Sequence, residues 1–172
     1  MQLLPVDKPE LINLVAHWLS EEKNYRWLDF GSGTQGLTAA AVAIMAQRPN
    51  QYLRVFTTDD DVTPIGIVGL TNIKRDFKTG TAWIVLGDKQ YATKGYALRA
   101  GSKLLTNAFT EVGLNSVDVW AVACNYSSLR VINRLNFRPI GIQRQTHIID
   151  GTVYDRHWFD LLAPEHKELE HA

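Results

Sequence analysis

Leu11, Leu14, Val15, Trp18 and Leu19 recur at helical spacing, and the SEEKNYRWL that follows continues the amphipathic pattern. The spacing predicts a helix over Glu10–Ser20, opened by Pro9, and a second over Thr38–Gln47, closed by Pro49. Downstream the period changes. YLRVFTT, PIGIVGLTNIKR and TAWIVLG are β-rich runs separated by the polar turns DDDVTP and DFKTG, with no helix between them, which reads as an antiparallel meander. A long helix follows, with Ala97, Ala100, Leu104, Leu105, Ala108, Phe109 and Val112 on one stripe and Gly113 as its stop. Then come a buried strand, SVDVWAVACN, a short helix, SLRVINRLN, and two strands turned by Asp150-Gly151, a strong hairpin signal. With a short first strand over Gln2–Val6, the order is β-α-α-β-β-β-α-β-α-β-β, an α+β (mixed α/β) fold.

The 172 residues, 45% hydrophobic and 21% charged, suit one globular domain over residues 1–172. Lys plus Arg and Asp plus Glu both number 18, so neither the basic footprint of a nucleic-acid binder nor a polybasic membrane anchor is present. The longest apolar run, GLTAAAVAIMA, falls short of the roughly 20 residues that cross a bilayer, and MQLLPVDKPE is no secretory signal. Cys124 is the only cysteine, which excludes an intrachain disulfide and suggests a cytoplasmic protein. The histidines form no metal-ligand spacing, so no metal is expected. The acidic run TTDDD reads most simply as a solvated turn, and Trp83, Trp120 and Trp158 as core or groove wall.

Gly31, Gly33 and Gly36 in LDFGSGTQG reproduce the G-x-G-x-x-G spacing of dinucleotide turns. Such a turn must follow a buried strand and sit among parallel βαβ units, and here a helix precedes it and a meander follows. The glycines therefore read as a helix-to-helix connection. Two other junctions carry more chemistry. In DKQYATKGYALRAG a strand feeds a helix whose first N–H groups are unpaired, with Gly95 permitting close backbone approach, Ala97 keeping the next turn small and Lys94 adding charge, so an anion site and a plain helix start are both open. In NYSSLRVINRLNF, Asn125 ends a strand where its amide could meet an extended ligand, and Ser128 follows one turn later, although both types also cap helices.

The element order, TKGYA, and N-x-x-S followed by L-N-F resemble the GNAT superfamily of acetyl-CoA-dependent N-acetyltransferases over essentially the whole chain. Asn125, Ser128, Arg130, Val131, Leu135 and Phe137 match the pattern of its RimJ/RimL branch, named for enzymes acetylating ribosomal-protein N-termini. The resemblance implies a central, mostly antiparallel mixed sheet splayed in a V that holds pantetheine. It implies a pyrophosphate loop over Ala92, Gly95 and Ala97, and acetyl-CoA contacts at Leu86, Gly87, Ala92, Lys94, Gly95, Tyr96, Ala97, Asn125 and Ser128. Ala92 stands where Gln or Arg is usual and Asn136 where Gly is usual; Asn best tolerates the left-handed conformation there.

The implied reaction is direct attack of an uncharged amine on the thioester. A backbone N–H near Val85 or Leu86 would hold the oxyanion. The Tyr that many family members use on the leaving sulfur is replaced by Ile132, so that role falls to Ser128, with Tyr126 in reserve. His147 and Asp76 are bases by type alone. By resemblance the connection after the first helix, with Tyr25, Trp27 and Asp29, faces the acceptor. The acceptor is an amine, either a protein or peptide N-terminus or a small molecule, and the chain is a monomer or homodimer. A catalytically silent CoA-binding sensor or scaffold is the alternative.

Overall fold

The computed structural model describes residues 1–30 and 37–169; the GSGTQG stretch lies outside them. The elements are β1 (Leu3–Pro5), α1 (Pro9–Ser20), α2 (Glu22–Tyr25), α3 (Ala39–Gln47), β2 (Tyr52–Thr57), β3 (Pro64–Lys74), β4 (Thr79–Leu86), α4 (Tyr96–Thr110), β5 (Ser116–Val122), α5 (Tyr126–Arg134), β6 (Arg138–Ile149) and β7 (Thr152–Leu162). The strands form one sheet in the order β1-β2-β3-β4-β5-β7-β6. Every neighbouring pair is antiparallel except β4 and β5, which run parallel and are joined through α4. The mixed, mostly antiparallel sheet expected from the sequence is the one that forms.

Alternation along β2, β3 and β4 feeds two cores. Val55, Ile67, Trp83 and Val85 pack under α1 and α3 through Val15, Trp18, Leu19 and Val42. Phe56, Val68, Leu70 and Ala82 face the other way, against Leu98, Leu104 and Leu105 of α4 and Ile132 of α5. Because helices cover both faces of β3, Ile65 through Thr71 are buried without interruption.

The first helix ends at Ser20, as predicted, although the amphipathic spacing runs on past it. Glu21 takes an extended backbone (φ −76°, ψ 128°), and a single-turn helix, α2, follows. The stop has a physical cause: the Trp18 carbonyl accepts from the side-chain amide of buried Asn24 at 2.8 Å, which satisfies the helix end and turns the chain. The other ends follow their sequence signals. Thr38 Oγ1 accepts from the Ala41 N–H at 3.2 Å to cap α3, and Asp150 and Gly151 both take the positive φ that a two-residue hairpin turn needs.

Gly87 and Gly101 set how closely the layers approach. A Cβ on Gly101 would stand 2.8 Å from Ile84 Cδ1 and 2.9 Å from Leu135 Cδ1, so the missing side chain is what seats α4 on β4 and α5. At Gly87 a Cβ would lie 2.1 Å from the Trp18 indole. Gly87, expected among the acetyl-CoA contacts, is thus buried beneath α1 and does not line the cavity described below. Gly87→Ala must displace a fully packed tryptophan, and overpacking of this kind costs about 1–3 kcal/mol. Urea titration should show the lowered midpoint; an unchanged midpoint would mean that Trp18 has room to move.

Candidate active site

β4 and β5 share only three register pairs, Thr79 with Ser116, Gly80 with Val117 and Thr81 with Asp118. Beyond Thr81 the strands separate, and the backbone groups of β4 that face β5 have no strand partner. A cavity of about 650 Å³ fills the gap, lined by Ala82 through Leu86 on one side, Val119, Trp120 and Ala121 on the other, and residues of α4 and α5 at its floor.

At one mouth stands the N-terminus of α4. Thr93 (φ 65°) and Gly95 (φ 79°) are both left-handed, so the loop bends tightly just before the helix and leaves its first amides facing the cavity. The helix start is held from behind. Asp59 accepts from Arg99 Nη1 and Nη2 at 2.7 and 3.1 Å and from the Tyr96 hydroxyl at 3.4 Å. These bonds hold the Asp59 carboxyl below the usual carboxylate range. The acidic run read as a solvated turn is therefore in part a clamp, because Arg99 lies about one helical turn from Gly95 and presents its guanidinium to the β2–β3 connection.

Across the gap, β5 stops at Val122, and Asn125, expected to end the strand, lies three residues beyond it as the cap of α5: its Oδ1 accepts from the Ser128 N–H at 3.2 Å. Its Nδ2 has no hydrogen-bond partner among the described residues, and both Asn125 and Ser128 line the cavity. The cap is Asn125, so the Ser128 hydroxyl is not needed for it. Tyr126 is 75% exposed and outside the cavity, away from the position a reserve proton donor needs. Leu86, Ala92, Gly95, Tyr96 and Ala97 line the cavity, while Lys94 lies outside the lining, its ammonium 5.1 Å from the Tyr91 ring. Of the acceptor-side candidates, Trp27 and Asp29 line the cavity and Tyr25 does not. Asp76 sits exposed in the β3–β4 turn, far in register from the splay.

His147 is also outside the cavity, and its surroundings define what it does. Its Nε2–H donates to the Arg26 carbonyl at 2.7 Å, which leaves Nδ1 to accept from Arg156 Nε at 3.2 Å. Arg156 lies 3.9 Å over the Trp120 ring, and its Nη1 donates to Asp29 at 3.2 Å. Arg26 in turn pairs with Asp150. Together these bonds tie the segment after α2 to the β6–β7 hairpin. Burial chiefly, and the Arg156 cation, push the His147 pKa down, so the ring is a neutral fastener rather than a base within reach of the cavity. Trp120, read from the sequence as core or groove wall, lines the cavity. Asn24, Lys89 and Arg156 went unnoticed in the sequence, where no motif marks them.

Residues 2–138 match the family model described as "Acetyltransferase (GNAT) domain". The relatives include the "Putative ribosomal N-acetyltransferase YdaF" of Bacillus subtilis (strain 168), 26% identical over 95% of this chain and 90% of that protein. The "Uncharacterized N-acetyltransferase p20" of Bacillus licheniformis is 27% identical over 68% of this chain, and the match spans only 64% of its length. Among solved structures, spermidine N-acetyltransferase from Vibrio cholerae in complex with CoA and spermine superposes with a TM-score of 0.84 at 13% identity, over 95% of this chain and 96% of that one. RimL, the ribosomal L7/L12 α-N-protein acetyltransferase, in complex with CoA, gives 0.76 at 13% identity, over 94% and 98%.

The neutral His147 makes stability depend on pH. Its folded pKa is depressed, so the unfolded chain binds the proton more readily; the contribution is complete above about 6.5 and is lost as pH falls from there toward the folded value. His166, also depressed by burial, acts in the same direction. Denaturation midpoints should fall between pH 7.5 and 5.5, and by less in His147→Gln. A loss unaltered by that substitution would assign the effect to His166.

Proposed function

The chain belongs to the GNAT acetyltransferase family, and we propose that it is an acetyl-CoA-dependent N-acetyltransferase whose acceptor is a primary amine. Its Asn125–Phe137 motif and its kinship with a putative ribosomal N-acetyltransferase are those of the RimJ/RimL-like branch. The observation that carries the reading is the splay of β4 from β5 over a cavity that opens against the α4 N-terminus. An extended, amide-bearing pantetheine arm suits a gap walled by unpaired strand backbone, and a pyrophosphate suits the bent loop and helix start at its mouth.

In this reading the amides around Gly95 to Ala97 take the pyrophosphate, with Ala92 in the loop and Lys94 adding charge from nearby. Asn125 Nδ2 donates to the pantetheine arm. The neutral amine attacks the thioester carbonyl; the N–C bond forms, the C–S bond breaks, the amine releases a proton and the departing sulfur takes one up. Backbone N–H groups of β4 at Val85 or Leu86 receive the developing oxyanion, and the Ser128 hydroxyl donates to the sulfur. Trp27 and Asp29 border the acceptor. Residues 1–172 act as one domain working on a protein N-terminus or a small amine in the cytoplasm; among the described residues no helix is long and apolar enough to cross a membrane.

Gly95→Glu puts a carboxylate in the space assigned to phosphate; the left-handed φ of 79° at this position adds about 1–2 kcal/mol of strain, while the helix start itself favours a negative charge. Calorimetry should find acetyl-CoA binding abolished in a folded protein; retained affinity would remove this loop from the site. Ser128→Ala should lower kcat and kcat/KM for the amine together by about 10²–10⁴-fold with little change in acetyl-CoA affinity. Turnover within about threefold of the wild type would take Ser128 out of the reaction. Acetyl-CoA binding without turnover of any amine in a broad panel would instead mark a silent sensor or scaffold.

A further inference from the structure

One side chain joins the end of β4 to the α1–α2 corner at the rim of the cavity. Lys89, exposed at the rim just beyond β4, donates from Nζ to Asn24 Oδ1 and to the Leu86 carbonyl, both at 2.6 Å. Asn24 is held in turn, 3% exposed, with its Nδ2 donating to the Trp18 carbonyl at 2.8 Å and to Glu21 Oε2 at 3.3 Å. Two of the three N–H groups of Lys89 are thus used, and both partners are neutral oxygens. The third is left over.

Asp88, next to Lys89 in the chain, accepts from the Gln90 N–H and side-chain amide and is not part of the cavity lining, whereas two other charges that line it are matched. Lys23 pairs with Glu21 at 2.8 Å, and Asp29 pairs with Arg156 at 3.2 Å. Among the described residues no carboxylate reaches ion-pair distance of Lys89. Residues 31–36 contain no ionisable side chain. The indole N–H of Trp83, which also lines the cavity, has no acceptor among the described residues. Desolvation, and then the Lys23 cation, depress the Lys89 pKa against the opposing pull of the Glu21 carboxylate, which lies beyond ion-pair distance. The acceptor end therefore offers donors and a positive charge in excess of its acceptors.

Resting on the acetyl-transfer reading above, we propose that Lys89 selects acceptors bearing a carboxylate close to the reacting amine and disfavours polyamines. A carboxylate would take the remaining Lys89 N–H in a charge-assisted bond, whereas the second ammonium of a polyamine would meet a like charge whose field is not cancelled. Because Lys89 keeps contact with solvent, the discrimination is moderate, about tenfold rather than a thousandfold.

The test compares kcat/KM for alanine against alaninamide, for a Ser-Glu hexapeptide against its Ser-Gln counterpart, and for spermidine. The wild type should favour the carboxylate member of at least one pair by about tenfold and turn over spermidine most slowly. Lys89→Met should bring that ratio to about one, and Lys89→Glu should invert it while raising the spermidine rate. Equal rates within both pairs, a preference for spermidine, or a ratio that survives Lys89→Met would overturn the proposal, and the wild-type ratios decide even if a variant fails to fold. Acetylation without a carboxylate preference removes Lys89 selectivity alone. Failure to acetylate all five amines, with acetyl-CoA still bound, removes the transfer reading as well.

Discussion

Everything at the site depends on two parallel strands that stop pairing after three residues. β4 is hydrogen-bonded along its length to β3, and β5 to β7, so each half of the sheet keeps its own twist and the halves diverge once their shared ladder ends. A gap of this kind leaves strand N–H and C=O groups inside the fold without partners, a costly arrangement unless something else pairs with them. Side chains cannot fill it, because Gly101 keeps the floor low and α4 and α5 close only one face. The fold thus leaves an unfinished ladder, and its best complement is an extended chain with amides of its own.

A gap between divergent strands needs its rims fixed, and polar pairs do that here. Asp59 anchors the start of α4, Lys89 and Asn24 join the end of β4 to the α1–α2 corner, and the His147–Arg156–Asp29 chain ties the segment after α2 to the hairpin. The rim elements are short and irregular: α2 is a single turn, and the loop before α4 turns through left-handed Thr93 and Gly95. Directional bonds therefore set position where packing cannot. His147 shows how such a pair is tuned, since a charged ring would set a second cation beside Arg156.

These same pairs mark the limit of what the sequence reveals. The order of helices and strands, the meander, the hairpin at Asp150-Gly151 and the helix start at Gly95 are written in spacing and in turn residues, which act over a few positions. Asp59 meets Arg99 across 40 residues, Lys89 meets Asn24 across 65, and Arg156 meets Asp29 across 127. No local pattern distinguishes those residues from ordinary surface charge. Glu21 is the local exception: amphipathic spacing runs straight through it, and the helix breaks because Asn24 satisfies the Trp18 carbonyl from outside. Gly87 belongs with the long-range pairs, since nothing in its sequence neighbourhood marks a glycine that serves a packed indole distant in the chain rather than the cavity it was expected to line.

Ile132 in place of the family's usual tyrosine also follows from geometry. Ser128 and Ile132 lie four residues apart on α5, hence on one stripe, and both line the cavity. A hydroxyl moved from 132 to 128 stays on the same wall, one turn nearer the start of the helix. The positive end of the α5 dipole lies there, and the Asn125 amide stands beside it with donors to spare, so in the proposed reaction a thiolate forming near Ser128 would meet a more favourable field than it would one turn later. Position 132 is then released to the core, where isoleucine, 5% exposed, packs against the sheet. A short side chain at a helix start can do the work of a long one from mid-helix because the backbone supplies part of the electrostatics.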